Sequence, residues 1–297
     1  MLETAEIFQD NMVLQQGKDL FVWGTAQKGR QVFVEIQGQY AETTADMEGK
    51  WRVQLQPLTV SMKEKMCISD SNGEVIELDN IAVGEVWVAG GQSNMEFPLK
   101  FEKHYQDEKK NASNSRIRFF DVPKISFEGQ RQAFDYEKVA IWREAAPDDI
   151  GYFSAVGYYF AKELEKSRGV PVGIVGCNWG GTSISAWMAE DTVKKLNNYW
   201  YQKYLKDTAI DMRQYWEQEL QNPQNSTGDF VDNPMNEYIL SNTITMEQMI
   251  SYMQEKMGIS FEQMATGMAR PQPQSFPGCL FQYMVKTIAP YGVRGVL

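Results

Sequence analysis

Two glycine-bracketed turns carry the residues that could do chemistry. The first, Gly90-Gly91-Gln92-Ser93-Asn94-Met95, directly follows the apolar run Val86–Ala89. Consecutive apolar positions suit a strand buried on both faces. The glycines let the backbone turn sharply and present Ser93 at the strand's carboxyl end, the edge at which open α/β sheets bind ligands. A serine on a tight strand-to-helix turn is a usual setting for an exposed nucleophile, and its own N–H can face an oxyanion. The hexapeptide alone is equally compatible with a glycine loop in which Ser93 merely caps the next segment. The second turn, Gly176-Cys177-Asn178-Trp179-Gly180-Gly181-Thr182, follows the run Val172–Val175. It has the glycine spacing of a phosphate loop but not the lysine, which argues against nucleotide binding. It can supply a backbone N–H donor at a helix start, with Thr182 or Ser183 as cap, and such donors stabilise tetrahedral oxyanions. Here too a plain βα turn without chemistry fits as well.

The base is the difficulty. Hydrolytic mechanisms commonly use a histidine, and the chain has one, His104. It sits in the charged stretch Lys100–Glu108, where a solvated surface histidine is the expectation. No Ser-x-x-Lys occurs, which removes the simplest histidine-free serine mechanism. Asp148, Asp149, Glu163 and Glu165 offer carboxylates, but nothing places a pair across a sugar ring. Glu96 is expected as a first-turn acid favoured by the helix dipole. Cys67, Cys177 and Cys279 are odd in number and far apart, so neither a disulfide framework nor metal-ligand spacing is present. A reduced compartment and no metal or organic cofactor are the expectations.

The chain that must position these turns has 297 residues, enough for about two domains. With 43% hydrophobic and 23% charged residues it is too apolar to be disordered. A formal charge of −10 repels phosphate, so nucleic acid and anionic membrane are poor partners. No run approaches the roughly 18 apolar residues of a membrane span. Met1–Gln16 lacks the pattern of a signal peptide, so a cytoplasmic location is expected. From Met1 to about Asn80, alternating runs such as Val32–Ile36 and Trp51–Leu55 lie between glycine turns, the pattern of a small β-sandwich. From Ile81 onward, strands at Val86–Ala89, Ile117–Phe120 and Val172–Val175 and a helix from Ser154 to Arg168 imply a parallel α/β sheet. That helix is expected to be capped by Ser154, stopped by Gly169, and to pack through Val156, Tyr159, Phe160 and Leu164. A polar, mostly helical insert is expected at about 192–277, with helices at Tyr201–Leu220 and Thr245–Met257 around a loop at Asn222–Asn236. Leu280–Ile288 then reads as a helix and Gly292–Leu297 as the start of a further buried strand. The division is therefore 1–80 for the sandwich and 81–297 for the α/β domain.

In combination these blocks resemble a known family. Ile7-Phe8-Gln9-Asp10-Asn11-Met12-Val13-Leu14-Gln15 with Val22-Trp23-Gly24, and Gly49-Lys50-Trp51, are similar to the opening of bacterial sialate O-acetylesterases. Gly84-Glu85-Val86-Trp87 running into Gly91-Gln92-Ser93-Asn94-Met95 resembles that family's nucleophile block. Phe153–Phe160, Trp179-Gly180-Gly181-Thr182 and Ala186-Trp187 extend the likeness, which covers about Ile7–Trp187 and resumes near Gly278. The resemblance implies an SGNH-hydrolase fold, a three-layer parallel sheet with helices on both faces, and cleavage of O-acetyl esters on sugars. It implies Ser93 as nucleophile and the N–H groups of Ser93 and Gly181 as oxyanion donors, with Gln92, Asn94 and Trp179 as the expected substrate contacts. Ser183 and Ser185 stand where the family usually has Pro and Glu, which puts that loop's sugar contacts in doubt. The family's Trp-Tyr-Gln-Gly-Glu-Ser block and its Asp-x-x-His base have no counterpart here, and His104 does not match that histidine. The expectation is a carbohydrate O-acetylesterase acting on acetylated sugars, cut short before its base and poorly active by itself. The rivals are a non-catalytic carbohydrate-binding protein that kept the fold and lost the base, and an inactive fragment.

Overall fold

The computed structural model describes residues 1–133, 136, 139–199, 201–202, 217, 234–241, 244–258, 260 and 273–297. Contacts divide it into two compact units. One comprises Met1–Val122, Ala140–Gly180 and Thr287–Leu297, the other Pro123–Val139 and Gly181–Lys286.

The first unit holds the strands. β1 (Glu3–Thr4), β3 (Leu20–Thr25) and β6 (Lys50–Leu55) form a three-stranded antiparallel sheet. β6 alternates exposed and buried residues along its length, as the sequence pattern predicts. A larger sheet contains β2 (Val13–Gln15), β4 (Gln31–Ile36), β5 (Gln39–Thr44), β7 (Ser61–Asp70), β8 (Val75–Gly91), β9 (Asn114–Asp121), β10 (Arg143–Ala145), β11 (Val172–Asn178) and β12 (Gly295–Val296). Its order is β10-β9-β11-β8-β7-β4-β5, with β2 and β12 also paired to β8. The sequence implied a parallel sheet; the observed one is mixed. β9, β11 and the second half of β8 run parallel, while β10 and the strands β7, β4 and β5 are antiparallel to their neighbours. One strand causes this. β8 is 17 residues long and pairs antiparallel with β7 through its first half and parallel with β11 from Glu85 to Gly91. It passes unbroken through Asn80, where the sequence placed a domain boundary.

Arg118 anchors that passage. Asn11 and Asn80 both adopt positive φ, 66° and 54°. The fully buried Arg118 guanidinium donates to the carbonyl oxygens of Asn11, Asn80 and Ser115 and pairs with Glu144 at 3.3 Å. Burial pulls its pKa below the usual arginine value, and Glu144 opposes that pull.

α4 (Ala155–Arg168) packs on the parallel strands and ends as its caps dictate. Ser154 Oγ accepts the Gly157 N–H at 3.2 Å, and Gly169 closes the helix at φ 66°. Three of the four expected packing residues meet the core, and Val156 does not. Ala155, Gly157, Tyr158 and Ala161 are buried, Tyr159, Phe160 and Leu164 pack half-buried, and Val156 is exposed. The small residues bring the helix close to β11, since a Cβ on Gly157 would lie 3.1 Å from Ile174. Beneath α4, Phe119 stacks on Phe153 with centroids 5.0 Å apart. Such a pair contributes about 0.5–1.5 kcal/mol beyond its burial. β12 covers only Gly295–Val296, and Val296 is exposed rather than buried, because among the described residues this short strand pairs with β8 alone.

The second unit is helical among its described residues. It includes α3 (Gln130–Ala133), α5 (Ile184–Trp187), α6 (Glu190–Leu196), and helices at Pro234–Ser241 and Met246–Met257. Thr245 and Gln248 form a reciprocal capping box at the start of the last of these. Phe281–Val285 makes a π-helical turn running into Lys286–Ile288, matching the expected helix there. Most of the expected Tyr201–Leu220 helix and Asn222–Asn236 loop lies outside the described residues. Its last residues, from Pro234, are helical instead. No described helix is long and apolar enough to cross a membrane.

Candidate active site

β8 ends at Gly91, and α1 (Ser93–Glu96) begins two residues later. Gly91 has φ 148°, a conformation that side chains disfavour, so the turn into α1 draws on glycine's freedom. Ser93 therefore stands at the carboxyl end of the parallel segment of β8. It is exposed, as are Gln92 and Asn94. Its hydroxyl donates to Gln92 Oε1 at 3.1 Å. The turn is held by the Met95 and Glu96 N–H groups donating to Gln92 O at 2.8 and 2.9 Å, and by the Phe97 N–H donating to Ser93 O at 3.0 Å. It is pinned to the start of α4 where the Ala155 N–H donates to Phe97 O and the Leu99 N–H to Phe153 O.

The end of β11 is laced to the same turn. Asn178 pairs with Gly91 in the parallel register, and its buried side-chain amide donates to Ala89 O at 3.1 Å. The Trp179 N–H donates to Gly91 O at 3.1 Å. The Gly180 N–H donates to Glu96 Oε2 at 2.6 Å. Trp179 is half-buried. Within the first unit, then, Ser93, Gln92, Asn94, Trp179 and Gly180 lie together at one edge of the sheet. Gly181 opens the second unit; it is exposed, with φ 74°.

Glu96 is a first-turn acid of α1, as the sequence predicts, but the residue is buried, 7% exposed, and its carboxyl accepts from a backbone amide 84 residues away in sequence. The readable signal was spacing: three residues after Ser93, it shares that residue's face of the turn. Its bond also occupies the Gly180 N–H. The caps of the second turn differ too. Ser183 takes the N-cap position of α5 without a side-chain cap bond, its hydroxyl pairing with that of Ser185 at 2.8 Å. Thr182 Oγ1 accepts from Trp187 Nε1 at 2.9 Å.

His104 occupies the N-cap position of α2 (Tyr105–Asn111) and is exposed, as the sequence predicts. The acids around it are less solvated than expected. Glu102 Oε2 accepts from the His104 N–H at 2.7 Å and from the Tyr159 hydroxyl at 3.0 Å. Glu108 accepts from the Tyr158 hydroxyl at 3.0 Å and pairs with Lys162 at 2.7 Å. Burial, reinforced by these carboxylates, pushes both phenols well above the usual tyrosine pKa. Among the described residues no three of His, Cys, Asp and Glu are grouped as metal donors.

Residues 83–220 match the family of carbohydrate esterases described as sialic acid-specific acetylesterases. The chain is 26% identical over 210 residues to the sialate O-acetylesterase of Mus musculus, covering 64% of this chain and 38% of that protein. It is 24% identical over 209 residues to the sialate O-acetylesterase of Homo sapiens, covering 64% and 39%. The chain thus matches about two fifths of the length of these curated relatives. The crystal structure of a carbohydrate acetylesterase from Xanthomonas citri shares the fold, with a TM-score of 0.65 and 24% identity over 99% of this chain and 50% of that one.

Proposed function

For a chain whose residues 83–220 match the sialic acid-specific acetylesterase family of carbohydrate esterases, we propose the nucleophile-bearing part of a serine O-acetylesterase acting on acetylated sugars, O-acetylated sialic acid foremost. In this reading Ser93 Oγ bonds to the acetyl carbonyl carbon while the N–H groups of Ser93 and Gly181 hold the oxyanion. The bond from the acetyl carbon to the sugar oxygen breaks as a histidine base passes the proton lost by Ser93 to that oxygen, and water then adds to the acyl carbon, releasing acetate and returning a proton to Ser93 Oγ. Gln92, Asn94 and Trp179 would contact the sugar. The parallel strands β9, β11 and the second half of β8 would be the centre of a three-layer SGNH arrangement over 81–297, with a helical insert at about 192–277 and an N-terminal β-sandwich over 1–80. Neither metal nor organic cofactor is required.

The observation that supports this most is the exposed Ser93 at the carboxyl end of β8, with Gly180 packed beside it. The step that this chain supplies least well is proton transfer. Its one imidazole is on exposed His104, and the Ser93 hydroxyl is bonded to Gln92 Oε1 instead. A serine without a positioned base loses about 10⁴ to 10⁶ in rate, so the 297-residue chain should turn over slowly. The same observation favours, as a second reading, a protein that binds acetylated glycans without cleaving them.

Acetate release from O-acetylated sialic acid, compared between this chain and Ser93→Ala, separates the two. A slow release that vanishes in Ser93→Ala supports the esterase. Saturable glycan binding with release identical in both proteins overturns it in favour of binding.

A further inference from the structure

We infer that Glu96 is a positioning residue of this site: its buried carboxylate clamps the Gly180 amide and so sets the backbone that stands beside Ser93. Ser93 and Glu96 are three residues apart on one turn, which the Phe97 N–H closes onto Ser93 O at 3.0 Å. Both side chains therefore face the same way, and both meet Gly180. The Gly180 N–H donates to Glu96 Oε2 at 2.6 Å. A Cβ on Gly180 would lie 2.5 Å from Glu96 Oε2, 3.4 Å from Ser93 Oγ and 3.6 Å from Ser93 Cα, so the Glu96 carboxyl would have to move to admit one. The preceding bonds, Asn178 Nδ2 to Ala89 O and Trp179 N–H to Gly91 O, fix the strand end only as far as the backbone of β8. Glu96 extends the lacing by one residue, to the amide adjoining the nucleophile.

This clamp has two consequences. The Gly180 N–H is spent on Glu96 and is not an oxyanion donor. The plane of the Trp179–Gly180 peptide, which carries that N–H, is set by a side chain of the nucleophile's own turn, so Ser93 and this peptide cannot drift independently. Donors must be held to within a fraction of an ångström to favour a transition state, and that is the task of such supporting groups. The catalytic consequence rests on the esterase reading above; the clamp itself does not.

The test uses the 297-residue chain labelled with ¹⁵N-glycine, as wild type, Glu96→Ala, Glu96→Gln and Ser93→Ala. In Glu96→Ala the Gly180 amide should exchange with solvent at least about tenfold faster. In Glu96→Gln, which keeps an acceptor oxygen, the Gly180 amide proton should stay protected but change its chemical shift as an amide replaces the carboxyl acceptor. An unmoved Gly180 resonance in Glu96→Gln overturns the clamp, and that arm stands even where Glu96→Ala fails to fold. For the catalytic role, the rate of aryl acetate hydrolysis is corrected by subtracting the Ser93→Ala rate. Glu96→Ala should lower the resulting kcat by about ten- to a hundredfold with KM within about twofold, and Glu96→Gln should restore most of it. Loss of Gly180 protection with an unchanged kcat overturns positioning and leaves Glu96 a structural residue. A rate that Ser93→Ala does not diminish removes the esterase reading instead, while Gly180 exchange and chemical shift still decide the clamp.

Discussion

Gly180 and Ser93 approach so closely that a methyl group on the glycine would stand 3.4 Å from the serine Oγ. The same methyl would be 2.5 Å from Glu96 Oε2, a contact that cannot persist. Gly180→Ala should therefore displace the Glu96 carboxylate and break its bond to the Gly180 N–H. A loss of about 1–3 kcal/mol is expected, the range for breaking a buried polar contact to a charged group. Urea unfolding measures it, and an unchanged midpoint would show that the two turns part easily.

His104→Ala should alter neither stability by more than about 0.5 kcal/mol nor the Ser93-dependent hydrolysis rate, since exposed positions tolerate substitution. The side chain is exposed, and the tie to Glu102 is made by its backbone N–H, which alanine retains. A rate that falls by a hundredfold would make His104 the base and would revise the expectation of weak activity.

Arg118→Met should cost about 3–5 kcal/mol, the usual penalty for removing one partner of a buried ionic network. The side chain is fully buried, and its loss would leave the Asn11, Asn80 and Ser115 carbonyls without those donors and Glu144 without this ion pair. Because these bonds hold β8 where it passes between its two sets of partners, the loss should appear in global unfolding. Retention of wild-type stability in chemical denaturation would contradict this role.

Stability should fall as pH rises above about 10, the ordinary tyrosine value. The phenols of Tyr158, Tyr159 and Tyr291 have folded pKa values raised by burial. A raised folded pKa means that the fold favours the protonated form. The contribution is whole below the unfolded pKa and is lost as pH rises from there through the folded values. Tyr158→Phe should flatten that alkaline decline in a plot of unfolding free energy against pH. An identical slope in the variant would remove Tyr158 from the explanation.

Local pattern carried the sequence reading far. Ser154 and Gly169 delimit α4 because a cap and a left-handed stop act on amides within four positions of themselves. The strand and glycines at Val86–Gly91 announced the turn that exposes Ser93, since the dihedral demands of that turn are met by the residues in it. Alternation in β6 marked its buried face for the same reason. The likeness to sialic acid-specific acetylesterases was likewise legible, in separate short blocks in order. What remained hidden depends on partners distant in sequence. A buried arginine in β9 violates the apolar pattern of its own strand and is tolerated only because Asn11, Asn80, Ser115 and Glu144 converge on it. The sequence changes character at Asn80, from the alternating Val75–Asp79 to the apolar run that follows, but that a single strand runs through this point from antiparallel to parallel partners is decided by pairing distant in sequence. Glu96 looked like any first-turn acid, and only the fold brought Gly180 to it across 84 residues. Propensity and capping are short-range and are written in neighbouring residues. The choice of partner for a buried charge is made by the packing of the whole unit, and it existed in no segment before the strands were assembled.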